Sequence, residues 1–246
     1  QDLLDAVVAV GTPTVVTLLA GRPYALGTAD RAAALLAAFF AGEEGAPALA
    51  GILSGRVDPS GRLPASIPSD PGAQPSTYLA APLARATGVS NIDPTPAFAF
   101  GHGLSYSTFA WTDAAADAAD IAVDGAVTVS LRVRNTGGRR ASDVVQLYLH
   151  DPVASTVRPV QRLVAYARVD LDAGAAAVVS FRVPADLASF TGRAGRRIVE
   201  PGEIVLGFGR SSADIVAELP VRLVGDVREV DHTRELHALV TVVTEE

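Results

Sequence analysis

Residues 127–134 read VTVSLRVR, and the alternation of this stretch decides the fold of the larger part of the chain. Val127, Val129, Leu131 and Val133 fall on one face of an extended segment, and Thr128, Ser130, Arg132 and Arg134 fall on the other. Successive side chains of a strand point to opposite faces, so a period of two puts one face in a core and the other in water. The turn-forming run NTGG follows at 135–138. Toward the C-terminus, 143–150, 178–183 and 203–208 repeat the period, and Pro201-Gly202 precedes the last of them. About seven short strands over roughly a hundred residues predict a β-sandwich of immunoglobulin or fibronectin type. The chain has no cysteine for an inter-sheet disulfide, which favours the fibronectin-like form. Beyond about residue 226 the sequence reads as a charged tail ending in LVTVVT at 239–244. That run is expected either to add a strand or to extend over another domain.

Upstream of residue 110 the pattern changes. Residues 1–10 read as the end of a helix. Residues 13–20, PTVVTLLA, are the continuous β-branched run of a strand covered on both faces of a parallel sheet, and GRP at 21–23 ends it. A second apolar run at 32–40 stops at Gly42 and reads as another strand. Residues 43–53 predict a helix with Glu43 and Glu44 in its first turn. DPSG at 58–61 is a turn, and 63–67 a short closing strand. Strand, helix, strand, helix is the order of an α/β domain. The predicted organisation is therefore α/β followed by all-β: an α/β part over 1–68, a Pro/Gly-rich connector over 69–110, a β-sandwich over 111–225 and a tail over 226–246.

Composition removes several function classes. Apolar residues make up 49% of the 246, enough to build a sizeable core. The net charge is −7 and no long basic run exists, which argues against a nucleic-acid partner. The absence of cysteine excludes thiolate metal sites and a cysteine nucleophile. No uninterrupted apolar stretch approaches the ~18 residues of a membrane span, because Gly11 and Pro13 break the best candidate. Because the chain opens inside a helix and does not begin with Met, it is expected to be part of a longer polypeptide.

Several short motifs carry a resemblance. AGRPY at 20–24 resembles "SGRPY", and AGEEGA at 41–46 is similar to "PGxEGG". VDPSGRLP at 57–64 matches "xxPSGRLP", with Ile67-Pro68 just after it. FGHGLSYSTF at 100–109 matches "FGxGLSYTxF". Downstream, RNTG at 134–137, DVVQLY at 143–148, RPV at 158–160 and EPG at 200–202 continue the series. In this order, over about residues 1–224, the motifs resemble glycoside hydrolase family 3. Ala41 and Ala46 depart from the pattern, replacing the usual Pro and the second Gly of one loop.

The resemblance implies the C-terminal part of a larger enzyme. A typical member places a TIM-like barrel first, then an α/β sandwich domain, then a fibronectin type III-like domain. Its nucleophile is an Asp in the barrel, to which nothing here corresponds. Its acid/base is a Glu on a loop just before an "LPxxQxxL" helix, and QDLL at 1–4 looks like the end of that helix motif. The implied activity is retaining hydrolysis of terminal β-linked glucose or xylose from an oligosaccharide or aryl glycoside, with no cofactor. SNIDP at 90–94 resembles members described as β-xylosidases. An alternative left open is a non-catalytic module that binds carbohydrate or a partner.

Retaining hydrolysis needs two carboxyl groups roughly 5 Å apart on opposite sides of the sugar bond. Glu43 and Glu44, read as helix neighbours, diverge by about 100° and cannot flank one bond. No catalytic residue is therefore assigned within the chain. Loops that follow parallel strands lie where ligands bind in open α/β sheets. Arg22, Tyr24, Glu43 and Glu44 are accordingly the candidates for a pocket rim or domain interface. His102, between two glycines, belongs to no G-x-S-x-G elbow and reads as part of an interdomain turn. His232 and His237 miss the i, i+4 spacing of a helical metal pair and read as solvated. Tyr106 and Trp111 read as packing at the junction.

Overall fold

The computed structural model describes residues 2–73, 77–81, 91 and 93–245. Residues 82–90 and 92, which include Ser90 and Ile92 of the SNIDP stretch, lie outside the described residues, as do Gln1, 74–76 and Glu246.

The first part contains helix α1 (Asp2–Ala9), strands β1 (Val15–Leu18) and β2 (Ala34–Ala37), helix α2 (Gly45–Leu53), and two short strands, β3 (Ile67–Pro68) and β4 (Pro96–Phe98). β1 and β2 pair in parallel, as their apolar runs predict. They are not covered on both faces, however. β1 has no buried residue, Val15 is 49% exposed and the adjoining Leu19 is 68% exposed. The predicted helix also begins later than expected. Gly42 takes φ 70°, the chain stays in a loop through Glu43, and α2 starts at Gly45 with Glu44 as its N-cap. Pro47, which lacks an N–H, suits that first turn because no helical bond is lost there. The predicted strand at 63–67 shrinks to Ile67–Pro68, which pairs with β4 rather than with the parallel sheet. Pro64 and Pro68 remove two of the N–H donors a longer ladder would use.

The second part holds β5 (Phe109–Ala116), β6 (Asp120–Ala122), β7 (Ala126–Asn135), β8 (Ala141–His150), β9 (Arg162–Leu171) and β10 (Ala176–Pro184). These are followed by β11 (Phe190–Thr191), β12 (Arg197–Val199), β13 (Gly202–Ser211), β14 (Asp214–Val224), β15 (Arg228–Glu229) and β16 (Leu239–Thr244). One sheet has the order β16-β10-β7-β5, and the facing sheet has β6-β14-β13-β8-β9. Val127, Val129, Leu131 and Val133 are all buried, as the period of two requires. Phe181 of β10 and Phe208 of β13 meet across the sandwich with ring centres 6.1 Å apart. Burial of each such side chain is worth about 1.5–3 kcal/mol relative to exposure. Residues 226–245 join this domain rather than trailing from it: β15 pairs with β12, and β16 pairs along β10 from Leu239 opposite Arg182 to Thr244 opposite Ala177. No helix among the described residues is long and apolar enough to cross a membrane.

Candidate functional site

Two loops leave the same edge of the parallel pair. β1 and β2 run in register from Val15 opposite Ala34 to Leu18 opposite Ala37, so the segments after them emerge together at the carboxyl end. These loops touch. The Phe40 ring lies over Gly21 so closely that a Cβ at that position would fall 2.7 Å from Cζ. Glycine at 21 is thus what allows the approach. Phe39 adopts φ 49°, a strained value for a side chain of its size, and the next residue, Phe40, is 87% exposed.

The four sequence candidates all sit on these loops. Arg22 Nε donates to the Tyr24 hydroxyl at 3.0 Å, and the guanidinium stands 5.2 Å from the centre of the same ring. Glu43 and Glu44 are exposed, and among the described residues no hydrogen bond or ion pair fixes either carboxylate. The Phe40–Gly21 contact joins the two loops, but Arg22 makes no ion pair with Glu43 or Glu44 among the described residues. The edge offers one cation–aromatic pair, an exposed phenyl ring and two free carboxylates, chemistry suited to lining a polar pocket.

The remaining motifs build a clamp between the two parts. Asp58 accepts from Ser105 Oγ through both oxygens at 2.9 Å, from Tyr106 N at 2.8 Å and from Ser142 N at 3.3 Å. The Tyr106 hydroxyl donates to Ile52 O at 2.8 Å, and Arg139 donates to Gly55 O at 2.7 Å. Arg62 pairs with Asp143 at 2.6 Å, their side chains only 12% and 7% exposed, and Trp111 Nε1 donates to the other Asp143 oxygen at 2.8 Å. Arg62 Nε is buried and finds no partner among the described residues. Leu63 and the FGHG turn exchange two backbone bonds of 2.8 and 2.9 Å. A Cβ on Gly103 would meet Gly61 O at 2.3 Å, which explains why that turn uses glycine.

The connector also covers the outer face of β8. Gln146 Nε2 donates to Gly101 O at 3.0 Å, and the Tyr148 hydroxyl donates to Gln146 Oε1 at 2.7 Å. Tyr78 stacks on Phe100 at 4.1 Å and meets Tyr148 edge-on at 6.2 Å. Burial pushes the Tyr148 hydroxyl well above its usual range. Asn135, fully buried, donates to Arg139 O and Leu171 O and accepts from Gly137 N and Ser107 Oγ. His102 is half-buried beside Arg62. Burial first, and then the Arg62 charge, lower its pKa, so the neutral imidazole is favoured. His102 thus belongs to the interdomain turn, and His232 and His237 are exposed.

The comparisons with known proteins follow the same division. The model of the glycosyl hydrolase family 3 C-terminal domain matches residues 1–106, and that of the fibronectin type III-like domain matches 143–212. The chain belongs to glycoside hydrolase family 3. A β-xylosidase of Formosa agariphila is 35% identical over 216 residues, covering 86% of this chain and 30% of its own length. A periplasmic β-glucosidase of Salmonella typhimurium is 35% identical over 233 residues, covering 87% of this chain and 30% of its own. Among solved structures, a β-glucosidase from Erythrobacter marinus superposes with a TM-score of 0.84 at 39% identity, over 91% of this chain and 30% of that one. The family 3 chain thus spans about a third of the length of the relatives it matches.

Sequence reasoning missed Phe40, because the run at 32–40 was absorbed whole into a strand. The signal was present: a strand of four residues does not need the two phenylalanines that stand before Gly42. It also named Asp58, Arg62, Asp143 and Gln146 only as parts of motifs, since nothing in their spacing shows that they meet.

Proposed function

We propose that this chain frames one wall of the sugar pocket of a retaining exo-β-glycosidase acting on terminal β-linked glucose or xylose. In this reading the rim consists of Arg22, Tyr24, Glu43 and Glu44, and the nucleophile and acid/base come from parts of the enzyme outside this chain. The substrate is a β-linked oligosaccharide or aryl glycoside, bound by the whole enzyme including a barrel domain. The observation that carries the reading is the convergence of the two strand-end loops through Phe40 and Gly21 at the carboxyl edge of β1 and β2. The names of the relatives, β-xylosidase and β-glucosidase, support the substrate class.

Glu43 and Glu44 are adjacent residues of one exposed loop, and among the described residues neither is held in place by a second group. A catalytic carboxyl needs a fixed position across the bond from its counterpart. The test is an assay of the 246-residue chain alone on aryl β-glucoside and β-xyloside. No turnover above buffer is expected. Turnover that disappears in Glu43→Gln would place the acid chemistry inside the chain and overturn the reading.

A further inference from the structure

A cleft on the sandwich, away from the strand-end loops, gathers three arginines. Arg158, Arg162 and Arg197 line it with Asp151, Ser189 and Phe190, and it encloses about 180 Å³. Three consecutive backbone carbonyls hold the guanidiniums. Arg158 donates to Ala188 O at 3.2 and 3.3 Å, Arg162 donates to Leu187 O, and Arg197 donates to Ser189 O at 2.8 Å and Ser189 Oγ at 2.9 Å. Arg158 also lies 4.2 Å from the centre of the Phe190 ring. These contacts fix position without neutralising charge.

The carboxylates are too few to balance the cleft. Asp151 pairs with Arg158 at 3.3 Å, both side chains 11% exposed, and Glu200 acts on the same pair. Neither Arg162 nor Arg197 forms an ion pair with a carboxylate among the described residues. Burial lowers the pKa of all three arginines, and Arg197 depresses Arg162 further, so the cations feel one another. Like charges in a partly dry cleft are unfavourable until an anion sits between them. A guanidinium carries five donors in a planar fork that fits a carboxylate or phosphate, and among the described residues Arg162 spends only the one on Leu187 O. The volume lies below the ~300 Å³ of ordinary ligand pockets, which limits the occupant to one small charged group or one charged ring.

We propose that this cleft is an anion site in which Arg162 and Arg197 bind a small carboxylate- or phosphate-bearing ligand. The site is separate from the glycosidase reading and stands or falls without it. The test is calorimetric titration of the full chain with glucuronate, inorganic phosphate and, as the neutral ring, glucose. Saturable binding of an anion at roughly millimolar concentration is expected, with no binding of glucose. The tighter of the two anions names the source as an acidic sugar or a phosphate. Arg162→Gln with Arg197→Gln should weaken it by about ten-fold or more. Absence of saturable binding by both anions, or binding unchanged in the double variant, overturns the proposal. If the double variant does not fold, the Nε–H signals of Arg162 and Arg197 in the unsubstituted chain decide. They should move during the titration, and static signals would overturn the site.

Discussion

β1 and β7 are both rich in β-branched residues, yet VVTL of β1 contains no buried residue while every second residue of β7 is buried. The difference lies in what stands opposite. β7 has a strand on either side and a five-stranded sheet facing it. β1 has one partner strand, and α1, its neighbour in sequence, buries none of its residues. An apolar run therefore reports a capacity for burial, and a second layer is needed to realise it. Leu3, Val10, Leu19 and Phe40 all stand exposed in the first part. In the sandwich, Phe181, Phe208, Leu131 and Leu206 are fully buried.

The largest effect that could break this comparison is a core truncation. Phe181→Ala should cost about 3–5 kcal/mol in urea unfolding, against within about 0.5 kcal/mol for Leu19→Ala. Equal costs would show that the two regions share one core. Next is the buried pair that ties the regions together. Asp143→Ala strands the Arg62 charge and removes the acceptor of Trp111, at a cost of about 3 kcal/mol. Limited proteolysis of that variant should then release the sandwich from residues 2–73 before the sandwich itself unfolds.

A smaller effect distinguishes the two uses of glycine. Gly103→Ala pushes a Cβ into Gly61 O and should cost about 2 kcal/mol, whereas Gly55→Ala, at φ 75° with open space around it, should cost about 1 kcal/mol. The smallest expected effect is that of pH at His102. Above pH 6.5 folded and unfolded chains both carry a neutral imidazole. As pH falls below that value, the unfolded chain takes up a proton that the folded site resists, so stability declines down to the lowered folded pKa. With the ring half-exposed, solvent screening keeps this loss small. His102→Gln should flatten this slope in denaturation curves taken between about pH 6.5 and 5.

The sandwich was legible because its information is local: alternation at 127–134 names the inward face without reference to any other segment. β1 and β2 were legible for the same reason, as runs bounded by Gly21 and Gly42. The covering of β8 was not. Gln146 and Tyr148 sit on the outward side of a strand, where the pattern predicts solvent, and Tyr78, Phe100 and Gly101 from forty or more residues upstream help to make that face dry. The acidic pair was misplaced because a loop residue at φ 70° and a delayed helix start are decided by backbone conformation, which composition reports poorly. The arginine cleft was illegible because its three members come from the segment after β8, the start of β9 and β12. Their convergence depends on carbonyls at 187–189 that carry no side-chain signal.

The last strand of the sandwich has a bearing on how the protein is made. β5 starts at Phe109 and β16 ends at Thr244, yet both flank the same four-stranded sheet, with β10 and β7 between them. A ribosome releasing the chain in order exposes three of these strands long before the fourth has left the exit tunnel. Throughout that interval β10 offers the unpaired backbone edge of residues 177–182 to any other nascent chain. Slow translation across 185–238 would prolong this interval, and codon choice in that span becomes a lever on yield.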